Sequence, residues 1–213
     1  MLDIDGTVFS SEDMIHQVYV EEFTRFRTEH GRPEKIPTLD EIVAQIGKPV
    51  VEIFQNLTPE LDEGERHGLS EGVLSNLVAR IDNGQGEHYD GVHDTLKQAR
   101  ERGIHFHAAS NGREAYIRAI LRANGTLDWF HPVRAVDNRT IHNKNELVAT
   151  ILRDNGLDPA HCLMVGDRAS DRDAALANDV AFAACNFGHG NKQEQEGAAV
   201  YLDRFEDLLT LIS

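Results

Sequence analysis

CLMVGDRASDRDAALANDVAFAAC, residues 162–185, decides the fold class. Two short apolar runs, 162–166 and 180–185, flank a segment with helical spacing at 171–178. Apolar runs of this length bounded by turn residues read as fully buried strands, and a strand–helix–strand unit of this size implies parallel pairing. The alternation continues outward on the N-terminal side. Helix 92–102 leads into strand 104–109 (IHFHAA), helix 113–124 into a strand near 132–136, and helix 144–155 into strand 162–166. A last helix is expected over 203–212. The fold class is therefore α/β, a Rossmann-like parallel sheet with helices on both faces, and such sheets bind ligands at the carboxyl ends of their strands.

Residues 11–82 break this rhythm and read as helices alone. Glu12 to His30 carries Ile15, Val18, Tyr19, Glu22, Phe23 and Phe26 at helical spacing and stops at Gly31-Arg32-Pro33. Thr38 to Ile46 forms a second helix, with Thr38 as N-cap and Glu41 completing a capping box. Val50 to Asn56 is a third piece, and Thr58-Pro59 opens a fourth that ends near Asn83-Gly84. The chain divides into an α/β core, 1–10 with 86–213, and an all-helical insertion, 11–85.

At 213 residues there is length for a full core without staples. The formal charge of −15 argues against nucleic-acid and anionic-membrane partners. It also means that a site for an anionic substrate must bring its own positive charge. No apolar run approaches the roughly 18 residues of a membrane span, and no signal-peptide pattern opens the chain. Cys162 and Cys185 lie in apolar runs without metal-type spacing, as expected of reduced core thiols in the cytoplasm. A monomer or homodimer is expected.

Four short motifs follow apolar strands. In Asp3-Ile4-Asp5-Gly6-Thr7-Val8, carboxylates at i and i+2 on an extended segment point to one side, and Gly6 allows a sharp turn. Carboxylates so close disfavour joint ionisation unless a cation lies between them. Ser110-Asn111-Gly112 offers a hydroxyl and free amides at a helix start, an anion cradle. Lys144 begins a helix, and Gly166-Asp167-Arg168-Ala169-Ser170-Asp171 adds two carboxylates at a strand end, suited to a hard cation such as Mg²⁺. Nucleophile, acid, hydroxyl, lysine and metal ligands are the parts phosphoryl transfer uses.

In order and spacing these motifs resemble the four signatures of the haloacid dehalogenase-like superfamily, over nearly the whole chain, with the helical insertion in the place of its mobile cap. Tyr89-Asp90-Gly91-Val92 and Gly156-Leu157-Asp158-Pro159 resemble the phosphoglycolate phosphatase and beta-phosphoglucomutase branch. The resemblance implies that Asp3 attacks phosphorus, that Asp5 protonates the leaving alkoxide and then activates water, and that Mg²⁺ is held by Asp3, the Asp5 carbonyl and Asp167. Asp171 would support the metal or Lys144. Ser110, Lys144 and the Asn111 backbone would hold the phosphoryl group, with Thr7 and Gly112 also toward the substrate. Apart from the resemblance, Lys48 follows Gly47 in the helical insertion, where it reads either as a group that reaches the substrate or as a solvated turn residue. The implied activity is hydrolysis of a small phosphate monoester, like phosphoglycolate or a sugar phosphate. Alternatives are a beta-phosphoglucomutase-type transfer and an inactive binding or regulatory protein; dehalogenase and phosphonate chemistry do not need the acid at Asp5. Two departures stand out. Only Met1 and Leu2 precede Asp3, so the first strand is expected to begin further upstream, and Asn145 follows Lys144 where many relatives have Pro.

His105 and His107 alternate along one strand but lack partners at zinc-ligand spacing, so packing is the expected role. Tyr19, Phe23 and Phe26 have the spacing of a helix core rather than of a ligand box.

Overall fold

The structure is a computed structural model that describes residues 1–31, 35–137 and 139–212, without the side chain of Asp13. Its sheet is parallel. Strand β3 (Leu163–Gly166) pairs with β4 (Ala181–Cys185), and β4 with β5 (Val200–Leu202). On the other side of β3 lie shorter stretches. Leu2 bridges in parallel to both Val165 and Ala108, and Phe106 bridges to Phe130. Strand β1 (Phe9–Ser10) pairs antiparallel with β2 (Glu87–His88), joining the two points where the chain leaves and re-enters the α/β part.

Between them run α1 (Glu12–His30), α2 (Leu39–Val43), α3 (Val50–Leu57) and α4 (Glu63–Asp82). The left-handed Gly31 ends α1; Arg32 and Pro33 of the expected stop lie outside the described residues. The Thr38–Glu41 capping box forms as expected on α2. Helix α4 starts later than Thr58-Pro59 suggests. Asp62 makes its own capping box with Glu65, while the Thr58 hydroxyl donates back to the Phe54 carbonyl at 2.6 Å and closes α3. Helices α5 (Val92–Glu101), α6 (Glu114–Ala123), α7 (Lys144–Asn155) and α8 (Ala169–Ala177) follow the predicted alternation.

Strand 104–109 is reduced to single bridges at Phe106 and Ala108, and three further readings change. The strand near 132–136 is not formed: the only pairing there is at Phe130, whose neighbour His131 donates to the Phe106 carbonyl. The C-terminal helix is a 3₁₀ helix, Phe205–Leu211. Strand β5 was not foreseen, because Val200-Tyr201-Leu202 is too short to show a period.

The start of the chain is pinned despite its brevity. Leu2 donates to the His107 carbonyl and accepts from Ala109, while Asp3 donates to the Val165 carbonyl and Val165 to that of Met1, all at 2.8–2.9 Å. Leu2 and Ile4 are buried with Phe9, Phe106 and Val165 in the main core, so Asp3 leaves the middle of the sheet at a strand's carboxyl end.

Candidate active site

Two motif-bearing strand ends and the first turn of a helix converge. Asp3 follows the central bridge at Leu2, Asp167 follows β3, and Asp171 sits one turn into α8. Their ligand oxygens all lie within 4.8 Å of one another, and all three side chains are buried. Lys144, the first residue of α7, reaches the same point. Its Nζ lies 3.0 Å from Asp3 Oδ1 and 2.5 Å from Asp171 Oδ1, and only 2% of the side chain is exposed.

Each carboxylate is held differently. Asp171 spends its second oxygen on the Asp167 and Arg168 amides, at 3.0 and 2.9 Å, and its first on Lys144, which orients the lysine. Asp167 Oδ2 accepts from the His189 and Gly190 amides at 2.7 and 2.9 Å. Asp167 Oδ1 is buried with no hydrogen-bond partner. An orphaned buried carboxylate oxygen is costly unless something positive meets it.

The electrostatics point the same way. Burial pushes against the charge on Lys144, but the Asp171 and Asp3 carboxylates outweigh it and hold the ammonium on. One ammonium cannot balance three carboxylates. Burial, with the charge of Asp3 behind it, lifts the Asp167 carboxyl to about 7 and moves Asp171 upward as well. A divalent cation would balance the surplus, and an all-oxygen donor set suits a hard one.

Two glycines allow this crowding. Gly6 has φ +79°, and a Cβ there would come within 2.5 Å of Asp167 Oδ2. At Gly188, on the loop after β4, a Cβ would stand 2.3 Å from the Gly6 carbonyl oxygen and 2.5 Å from Asp167 Cβ. That loop supplies the amides that clamp Asp167, yet no motif in the sequence drew notice to it.

Above the carboxylates is a cleft of about 90 Å³, lined on the sheet side by Asp3, Asp5 and Ser110 through Arg113. Asp5 accepts a 2.7 Å hydrogen bond from the Tyr116 hydroxyl. Burial raises its pKa against that bond, and the charge of Asp3 raises it further. The buried Ser110 hydroxyl accepts from the Gly112 amide at 3.2 Å. Asn111 donates from Nδ2 to the Gly47 carbonyl at 2.7 Å, tying the phosphate-cradle loop to the turn before α3. Lys48 also lines the cleft, its Nζ 3.1 Å from Gln45 Oε1 and 3.5 Å from Glu52. Thr7 does not line it. The turn at Gly6 carries Thr7 into the core, fully buried, with its hydroxyl beside the Cys185 thiol.

Three cleft residues were missed. Tyr116 and Arg113 are on or next to α6, and Ser70 is on α4; Arg113 bonds both Ser70 and Glu71. Tyr19, expected only in a helix core, packs on Phe23 and Phe54 and also faces the cleft. The one available signal was position. Arg113 directly follows the Ser110-Asn111-Gly112 cradle, and Tyr116 is one turn further on.

Residues 1–179 match the family model of the haloacid dehalogenase-like hydrolases. A phosphoglycolate phosphatase of Thiobacillus denitrificans is 26% identical over 187 residues, 83% of this chain and 78% of the relative. A 5'-nucleotidase of Pseudomonas aeruginosa is 25% identical over 205 residues, 91% and 85%. Among solved structures, CbbY from Rhodobacter sphaeroides in complex with phosphate superposes with a TM-score of 0.82 over 97% of this chain and 94% of that one, at 18% identity. A predicted phosphoglycolate phosphatase from Haemophilus somnus 129PT gives 0.84 over 100% and 96%, also at 18%. No helix among the described residues is long and apolar enough to cross a membrane.

Proposed function

The chain belongs to the haloacid dehalogenase-like hydrolase family, and on that premise we propose that it is a Mg²⁺-dependent phosphatase of small phosphate monoesters, working through a phosphoryl group carried on Asp3. The observation that carries this reading is the meeting of Asp167, Asp171 and Lys144 with Asp3, which lines a cleft. Asp3 attacks phosphorus, the ester P–O bond breaks, and the departing alkoxide takes the proton that Asp5 holds. Burial, which favours protonated Asp5, suits it to that first task. Asp5, now ionised, takes a proton from water as that water displaces Asp3 and releases phosphate. Lys144 and the Ser110–Gly112 loop hold the phosphoryl oxygens, and the Tyr116 hydroxyl keeps Asp5 aimed. Mg²⁺ would be held by Asp3, Asp167 and the Asp5 carbonyl, and would offset the charge of the transferring group. Asp171 has both oxygens engaged and serves better as the support of Lys144 than as a ligand.

In this reading residues 11–85 form a cap over the core, with the β1–β2 pair at its base. The two free thiols suit a cytoplasmic enzyme. The test is phosphate release from a panel of monoesters with Mg²⁺ and with EDTA. Turnover that EDTA abolishes and Mg²⁺ restores is expected, together with a ³²P label on the acid-quenched protein that hydroxylamine removes and that Asp3→Asn lacks. Turnover that EDTA leaves unchanged counts against the metal, and full activity in Asp3→Asn against the nucleophile.

A further inference from the structure

The part of the cleft away from the carboxylates is walled by the helices. Ile15 and Tyr19 come from α1, Ile46 from the turn after α2, Ile53 and Phe54 from α3, and Leu77 from α4, with further aliphatic neighbours. Tyr19 and Phe54 lie nearly parallel, 14° apart with centroids at 5.9 Å. Two cations reach this wall, and both are engaged. Arg113 is bonded to Glu71 and Ser70, and Lys48 to Gln45 and Glu52. Among the described residues lining the cleft, the one cation held only loosely is Lys48, whose side chain is 36% exposed and whose partner Glu52 is 3.5 Å away. The other polar groups near the wall are hydroxyls and the Asn111 Oδ1, buried without a partner.

A carboxylate carried against the aliphatic and aromatic part of this wall would lose its water and meet nothing there that replaces it, which costs more than the burial of apolar surface returns. A polyol faces the same difficulty with several hydroxyls at once. An uncharged apolar alcohol gains from the same transfer. The volume, about 90 Å³, is below the roughly 150 Å³ of an engineered apolar cavity that takes benzene, so it suits a small alkyl group.

We infer that the preferred substrate of this phosphatase is the phosphate monoester of an uncharged, apolar alcohol with a small alkyl group, rather than a carboxylated or sugar phosphate. This rests on the phosphatase reading and adds the chemistry of the leaving alcohol. The phosphate goes to Asp3 and Lys144; the organic group goes against Tyr19, Ile53 and Phe54. No other bond is broken.

Propyl phosphate and phosphoglycolate are both small esters of primary alcohols, so they differ chiefly in what faces the wall. Initial rates with Mg²⁺ should give propyl phosphate a kcat/KM about 100-fold above that of phosphoglycolate and of glucose 6-phosphate. Ile53→Lys, which places an added ammonium on the wall, should narrow that ratio by about 10-fold or more, through a fall for propyl phosphate and a rise for phosphoglycolate. A wild-type preference for phosphoglycolate or glucose 6-phosphate overturns the inference and leaves the phosphatase reading standing. An unchanged ratio in folded Ile53→Lys also overturns it. Failure to hydrolyse any of these esters, or acetyl phosphate, overturns both.

Discussion

On the sheet side the cleft meets Asp3, against which Asp167, Asp171 and Lys144 are buried; on the helical side it is walled by aliphatic and aromatic residues. Both surfaces are made from buried side chains, but burial acts on them in opposite senses. The wall is stabilised by being dry. The charged floor is strained by it, since desolvation raises Asp167 and Asp171 and leaves Asp167 Oδ1 without a partner. Stability should therefore reside mainly in the wall and chemistry in the floor, and substitutions can test that division.

The largest effect is expected at Asp3. Asp3→Asn should lower turnover by about 10⁴-fold or more, while the thermal midpoint stays the same or rises because one of three crowded charges is gone. Retained turnover would take the chemistry away from Asp3, and a midpoint well below wild type would show that the floor also carries stability. Lys144→Met is the counter-case. It leaves the carboxylates without their cation, and removal of one partner from a buried charge cluster costs about 3–5 kcal/mol. Urea unfolding at neutral pH without added metal measures this; a loss under 1 kcal/mol would mean the cluster is wetter than its burial implies. In the wall, Phe54→Ala should cost about 3 kcal/mol by cavity formation. Its damage should appear in the unfolding midpoint and in KM more than in kcat, and a selective loss of kcat would blur the division between the regions.

The smallest effect sits outside both regions. His107 packs on His131 with ring centroids 4.3 Å apart, and burial lowers its pKa to about 4. The folded state therefore binds this proton less readily than the unfolded chain, whose histidine titrates near 6.5. The sign follows: stability is unaffected above pH 6.5 and declines as pH falls toward 4. His107→Gln should remove about 1–2 kcal/mol of that acid-side decline, read from urea midpoints at pH 7 and 4.5. An identical decline in the variant would place the acid sensitivity in the carboxylate floor.

The floor was legible in the sequence, and the wall was not, for one physical reason. Each floor residue follows an apolar strand within a few positions, and unusual chemistry at a strand end stands out against a plain background. Asp3, Ser110 and Asp167 were found that way, and Lys144 by its place at a helix start. A cleft wall built of helix faces uses the same i, i+3, i+4 spacing as a core. Tyr19 and Phe23 are one turn apart on α1; Phe23 packs inward and Tyr19 also faces the cleft, and periodicity cannot separate them. Thr7 misled for the converse reason. It belongs to a recognisable motif, but the turn at Gly6 sends its hydroxyl into the core. The parallel alternation came through, while the pairing at Phe130 and strand β5 depend on neighbours far along the chain and leave no local trace.

Gly188 never touches a reacting atom in the proposed mechanism, yet a methyl group there would collide with the backbone at Gly6 and with Asp167. The consequence concerns which variants natural drift can explore. A library randomised at position 188 and selected for activity should return glycine almost alone, as stringently as one randomised at Asp3. The reason would be room rather than reactivity, so the two positions would look alike in a survival count and differ only when the purified proteins are melted.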